Sequence, residues 1–302
     1  LQAEHQVLIA RGFDAEQTNE IKDCIQDGLH DVYTAHSWSF FRPIETIKTT
    51  APYATGTVTI AAGVVTLVGG TWPSWAAVGV LKVADNYYDV DTRDSNSQLT
   101  LESIVSVAAA SSFELGRPEY DLPAAFEAIA GDSDLKYEPG QSDLYPPIQQ
   151  RHDSTIRRMQ QGNPFYDRPL LYSVRTVQFD PTVGSRKRLA FHPTPDAAYV
   201  LKVPMILRPV MIDATNQYPV GGETLAQVII EACLAAAERN YDEEQKRHRE
   251  RFIELLPLAI AADMERSSPT SLGPDMPQGE RLRDSGYQTR ERLVGAITLD
   301  GD

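Results

Sequence analysis

The hydrophobic pattern changes its period more than once along the chain. Over residues 15–36 (AEQTNEIKDCIQDGLHDVYTAH), Ile21, Cys24, Ile25, Gly28, Leu29 and Val32 recur at helical spacing, which predicts an amphipathic helix. Trp38, Phe40 and Pro43 in SWSFFRPIETIKTT stop that period and open a strand-like one, and the aromatic side chains read as core. Residues 53–107 differ in kind. Short runs such as Thr57–Ile60, Val64–Val68, Val80–Val83, Tyr87–Val90 and Leu99–Leu101 alternate with turn residues at Ala61-Ala62-Gly63, Gly69-Gly70 and Asp85-Asn86 and with a polar loop over 91–97. Five or so short antiparallel strands with such turns predict a small closed barrel or sandwich. Helix-patterned sequence lies on both sides, so the β-rich stretch reads as an insertion into a helical host.

The second half is punctuated by proline. YDLPAAFEAIAG, residues 120–131, predicts a short helix after Pro123, and another helix is expected over 147–161. Residues 170–179, LLYSVRTVQF, alternate as a strand. Leu189–Phe191 and Tyr199–Ile206 read as a hairpin turning at His192–Asp196, with Pro204 demanding a bulge or a sheet edge. After Gly221-Gly222, a long helix carries Leu225, Val228, Ile229, Ala232, Cys233 and Ala236 on one face, and its alanines admit a close neighbour. The apolar face resumes at Phe252, Leu255, Leu256 and Ala259, with Pro257 expected to kink or restart the helix. Beyond Met264 prolines, glycines and small polar residues leave little to bury, too little to offset an ordering cost of roughly 1–2 kcal/mol per residue.

Composition fits a globular protein of 302 residues, with 42% hydrophobic and 23% charged residues. No apolar run approaches the ~18–20 residues needed to span a bilayer, and LQAEHQVLIARGF has neither the basic leader nor the apolar stretch of a secretory signal. Charge changes the picture more. Residues 1–150 hold 8 Lys/Arg against 21 Asp/Glu, residues 151–208 hold 10 against 4, and residues 209–302 hold 10 against 17, for a total of −14. An acidic body with a basic middle argues against ordinary high-affinity DNA binding, which needs basic surface to displace counterions. It suits contacts with other protein surfaces, or solubility alone.

Candidate chemistry is sparse. Cys24 and Cys233 are expected as buried thiols, with a single disulfide between them the alternative. The six histidines show no metal-helix spacing, and no phosphate-loop, dinucleotide or nucleophile-elbow motif occurs. Asp89-Val-Asp91-Thr-Arg-Asp94-Ser-Asn96 mimics part of a calcium loop but lacks its sixth-position glycine and twelfth-position glutamate, so it reads as a hairpin loop. No catalytic residue, metal ligand or cofactor is expected.

The order of the pieces carries a resemblance. A helix ends in HSWSFF; an insert follows with YATGTVTI, GTWPSW and NYYDVD…SQLTLES; then come Tyr120–Pro123, LAFHPTPDAAYVLKV, an Ala-rich helix and an extended tail. This order resembles the head-to-tail adaptor, or connector, proteins of tailed bacteriophages. The resemblance implies an α+β fold: a helical body from 1–50 and 117–264 with a β-hairpin near 170–206, an inserted β-barrel or sandwich over 51–116, and an extended C-terminal arm over 265–302. It also implies a non-enzymatic virion protein of the phage neck, assembled in the host cytoplasm as a ring, a dodecamer in this family. Portal protein would sit above it, a tail or nozzle protein below, and DNA would pass through its channel, with no membrane involved.

On that reading Leu272, Met276, Arg281, Arg283, Tyr287, Arg290 and Arg292 are the arm's partner-binding residues. Arg157, Arg158, Arg186, Lys187 and Arg188 form a basic segment facing either a protein partner or the passing DNA. The alternative function is a non-catalytic carbohydrate- or protein-binding module on a helical scaffold, such as a tail or tail-fibre attachment protein, with Trp72, Trp75, Tyr87 and Tyr88 as its stacking surface.

Overall fold

The computed structural model describes residues 18–131, 134–138, 145–162, 164–180, 184–212, 216, 218–241 and 247–267. The chain divides into two compact units after Ile260, and of the second only residues 261–267 fall within the described residues. The fold is mixed α+β, with four α-helices among the described residues and a nearly closed antiparallel barrel.

Helix α1 (Thr18–Ala35) buries the face its spacing predicts: Ile21, Cys24, Ile25, Leu29, Val32 and Tyr33. It packs on α3 (Glu223–Tyr241), whose Leu225, Val228, Ile229, Ala232, Cys233 and Ala237 complete a helical core. α2 (Asp153–Gly162) lies elsewhere, and α4 (Arg247–Ser267) runs as one helix through Pro257 rather than restarting there. The SWSFF aromatics close one end of this core. Trp38 Nε1 donates to the Val32 carbonyl at 2.9 Å, and Tyr33 stands edge-on to Phe41. Glu238, on α3, turns back to accept the backbone N–H groups of His248 and Arg249, satisfying donors that a helix start leaves orphaned.

Seven strands form the barrel: β2 (Thr57–Ala61), β3 (Val64–Val68), β4 (Val80–Val83), β5 (Asn86–Arg93), β6 (Gln98–Leu101), β7 (Val107–Ser111) and β8 (Phe113–Gly116). Their spatial order is β7-β2-β3-β6-β5-β4-β8. Only Ser112 separates β7 from β8, so one bent segment pairs with β2 at one end and β4 at the other and brings the sheet close to closure. Two hairpins turn on two-residue loops, Ala62-Gly63 and Ala84-Asp85, all four at positive φ, the twist that matches antiparallel strands. Alternate residues point inward, and Val58, Ile60, Val65, Leu67, Leu81, Val83, Leu99 and Leu101 pack around the buried Trp72.

Between Glu119 and Leu207 the regular structure among the described residues is strand apart from α2, so the expected helical body is confined to the two ends of the chain. One sheet runs β1 (Ile44–Lys48), β15 (Val200–Leu207), β10 (Phe126–Ile129), with β11 (Lys136–Tyr137) also on β15. The other runs β12 (Gln149–Gln150), β13 (Leu171–Asp180), β14 (Gly184–His192), β9 (Glu119–Asp121). Leu201, Val203 and Met205 from the first sheet share one core with Tyr172, Leu189 and Phe191 from the second. Three expectations change here. The segment after Pro123 is strand β10, not helix, because Phe126 is buried where it pairs with β15. β14 pairs with β13, and β15 with β1, so they are not one hairpin despite the turn at His192–Asp196. Pro204 lies in a strand flanked on both sides, opposite Ile44 at the start of β1, and the irregularity falls in its neighbour β10.

Candidate functional site

The barrel joins the sandwich through two chain segments that run side by side. Tyr53, on the way in, and Leu115, on the way out, exchange both backbone hydrogen bonds at 2.8 Å. Tyr166, from the loop after α2, pins the junction. Its hydroxyl donates to the Val80 carbonyl at 2.6 Å and accepts from the Gly116 N–H at 3.2 Å, while its ring meets Tyr87 edge-on. Burial pushes its phenol well above the ordinary tyrosine range, since an anion there would lose its water.

Beside this pin opens a cleft of about 370 Å³. Asp89, Asp91 and Glu102 line it from the barrel, and Arg157, Arg175 and Arg188 from the sandwich and α2. The basic wall belongs to a chain of alternating charges: Arg157, Asp153, Arg175, Glu119, Arg188, Asp121 and Arg117. Arg175 is its centre. The Nε donates to Asp153 at 2.8 Å, Nη1 is paired with Glu119, and Nη2 reaches Gln160 at 3.3 Å. Burial alone would raise the Asp153 carboxyl, but hydrogen bonds from Arg175 and Arg157 outweigh it and hold the group below the ordinary carboxylate range. The acidic wall has no cation within ion-pair reach among the described residues, and crowding by the surrounding protein pushes Asp89 upward although its side chain still meets solvent. Opposite charges thus face one another across a gap. Among the described residues no Ser, Thr, Cys, His or Lys lines it, and the groups that do are carboxylates, guanidinium groups and amides.

The structure disperses the basic segment predicted from sequence. Arg157 is held by Asp153 at 2.6 Å, and Arg188 by Asp121 at 2.6 Å with Glu119 at 3.5 Å. Lys187 donates to the Glu127 carbonyl at 2.7 Å and lies over the Phe126 ring. Arg158 and Arg186 are exposed. The arm residues Leu272, Met276, Arg281, Arg283, Tyr287, Arg290 and Arg292 lie outside the described residues.

The aromatic set divides too. Trp72 is 1% exposed, packed against Tyr53 and Phe113, so it is core rather than a stacking surface, and Tyr87 is engaged by Tyr166. The calcium-like run is split between β5 and its turn, and the Asp94 carboxylate accepts from the hydroxyls of Thr92 and Thr100 at 2.8 and 2.7 Å. Sequence reasoning missed Arg175, Glu119, Asp153 and Tyr166. No local signal could have joined them, since Arg175 lies 56 residues from Glu119 and meets it only because β9 and β13 flank β14.

No protein-family description matches the chain, and no curated protein sequence does. Among the described residues no helix is long and apolar enough to cross a membrane.

Proposed function

We propose that the chain is a non-catalytic structural protein of the phage neck, assembling into a ring that joins the portal to the tail and lets DNA pass. The observation that carries this reading is the order of parts: a helix capped by SWSFF, a nearly closed barrel hung on two adjacent segments, a β-sandwich, and an Ala-rich helix that receives the first one. The resemblance to head-to-tail adaptor proteins rests on this same order of parts. Charge agrees with the role. A channel wall that bound phosphate tightly would hold DNA back, whereas a chain of net charge −14, whose central arginines are largely engaged by its own carboxylates, offers few sites for counterion release. Arg158 and Arg186 are the cations of the basic segment best placed to meet DNA or a partner. The C-terminal arm, beyond Ser267, would dock on portal or on a neighbouring adaptor.

The test is light scattering and electron microscopy of the full chain, alone and with portal protein. A closed ring of about twelve copies is the expected result. A chain that stays monomeric in both conditions, or that turns over a substrate, would remove the reading.

A further inference from the structure

The barrel and the sandwich have separate cores and meet through the paired Tyr53 and Leu115 segments and the Tyr166 hydroxyl. On the barrel side of the cleft, Asp89 of β5 and Glu102, just after β6, are cross-strand neighbours: the Glu102 N–H donates to the Asp89 carbonyl at 3.0 Å. Asp91 lines the same wall two residues along β5. Like charges side by side on adjacent strands repel, and among the described residues no cation lies within ion-pair reach of any of the three. The opposite wall holds three arginines, and one differs from the other two. Arg175 is shared between Asp153 and Glu119, and Arg188 between Glu119 and Asp121. Arg157 has Asp153 alone, through its Nε at 2.6 Å, with the side chain 55% exposed and both Nη groups without a partner among the described residues. Asp153 does not depend on that contact, since the Arg175 Nε at 2.8 Å and the Ser173 hydroxyl at 3.1 Å also donate to it. An exposed i,i+4 pair of this kind is weak.

We propose that Arg157 is a latch between the two bodies: it swings from Asp153 across the cleft onto the Asp89, Asp91 and Glu102 wall and draws the barrel toward α2. The exchange gives up one weak pair, on a carboxylate that keeps two other donors, and relieves the repulsion among three carboxylates that have no cation. Arg175 and Arg188 cannot make the same move as cheaply, because each would strand a carboxylate that is only 13% exposed, Glu119. The latch closes a cleft of about 370 Å³ that the long, flexible arginine stem and its fork of donors suit. The angle between barrel and sandwich is then under electrostatic control, closed at low ionic strength and released by salt. The inference concerns a single copy and does not rest on the ring reading.

The experiment places spin labels on the full chain at Ile104→Cys, 90% exposed on the barrel, and at Gln150→Cys, exposed on β12 of the sandwich. Cys24 and Cys233 are buried and stay unlabelled. Labelled chain is diluted with unlabelled chain, so that only distances within one copy are read by double electron–electron resonance. The measurement is made at ~0.01 M and ~1 M salt, between which the screening length falls from roughly 30 to 3 Å. Two distance populations are expected, the shorter favoured at low salt. Arg157→Gln should lower the short-to-long ratio at low salt at least ~3-fold, about the weight of one exposed ion pair. Neutralising the wall with Asp89→Asn, Asp91→Asn and Glu102→Gln should lower it as much, and adding Arg157→Gln to that variant should lower it no further. Arg186→Gln removes an exposed arginine that does not line the cleft and should leave the ratio unchanged. A single distance that neither salt nor these substitutions move would overturn the latch. So would an effect of Arg157→Gln that persists in full on the neutralised wall, since Arg157 would then act through Asp153 alone.

Discussion

Gly28 of α1 lies directly over Cys233 of α3: a β-carbon at Gly28 would sit 2.6 Å from the Cys233 Cα and backbone nitrogen, and 2.8 Å from the Ala232 carbonyl carbon. The two helices therefore touch backbone to backbone, and Ala232, Ala236 and Ala237 keep the approach open.

Gly28→Ala tests how much this contact carries. Alanine gains up to about 1 kcal/mol of helix propensity over glycine, but overpacking a filled core costs about 1–3 kcal/mol. Because the obstruction is backbone and cannot swing aside, overpacking should win. A net loss of about 1–2 kcal/mol in urea unfolding is expected, with α1 and α3 losing amide protection first. Unchanged or raised stability would mean that the helices are further apart than described.

Arg175→Met should cost about 3 kcal/mol at neutral pH, because it leaves Glu119 and Asp153 partly buried without their shared cation. The pH dependence supplies the sign. Asp153 has a folded pKa below its unfolded value of about 3.9. Its contribution is therefore fully present above about pH 4 and is lost as pH falls through the folded pKa. Unfolding midpoints measured between about pH 2 and 7 should converge at the acid end of that range for wild type and variant. Parallel curves would show that Arg175 does not set the Asp153 pKa.

Tyr166→Phe removes one hydroxyl that both donates to Val80 and accepts from Gly116, at an expected cost of about 1–2 kcal/mol. The effect should be local. Amide exchange should speed up in Val80–Val83 and Phe113–Gly116 and stay unchanged in α1 and α3, since the barrel and the helix pair have separate cores. Uniform acceleration everywhere would argue that the chain unfolds as one cooperative block.

The thiols should be silent in the native protein. Burial raises Cys24, and it pushes Cys233 up to about 12, so neither is a thiolate near neutral pH. A thiol reagent should label no more than a trace at pH 7–8 and two groups after denaturation. Labelling at one group before denaturation would place Cys24 nearer solvent than its burial allows.

Much of the fold was legible because it is written locally. The α1 and α3 faces follow from Ile21–Val32 and Leu225–Ala236 at helical spacing, and the barrel from short β-branched runs between turn residues; each element's pattern is set by which of its own residues are apolar. Strand pairing is not written that way. β10 is helix-compatible as AAFEAI and becomes strand because β15 offers hydrogen bonds and a pocket for Phe126. Likewise β14 and β15 flank an obvious turn yet join different sheets, since the buried faces of Leu189–Phe191 and Leu201–Met205 are opposed across the core rather than side by side. The site follows the same rule. That the middle of the chain is basic was plain from counting arginines. That Arg157, Arg175 and Arg188 meet Asp153, Glu119 and Asp121, and so leave little free positive charge there, was decided only when β9, β13, β14 and α2 came together, because ion pairs form between neighbours in space and charge counting knows only neighbours in sequence.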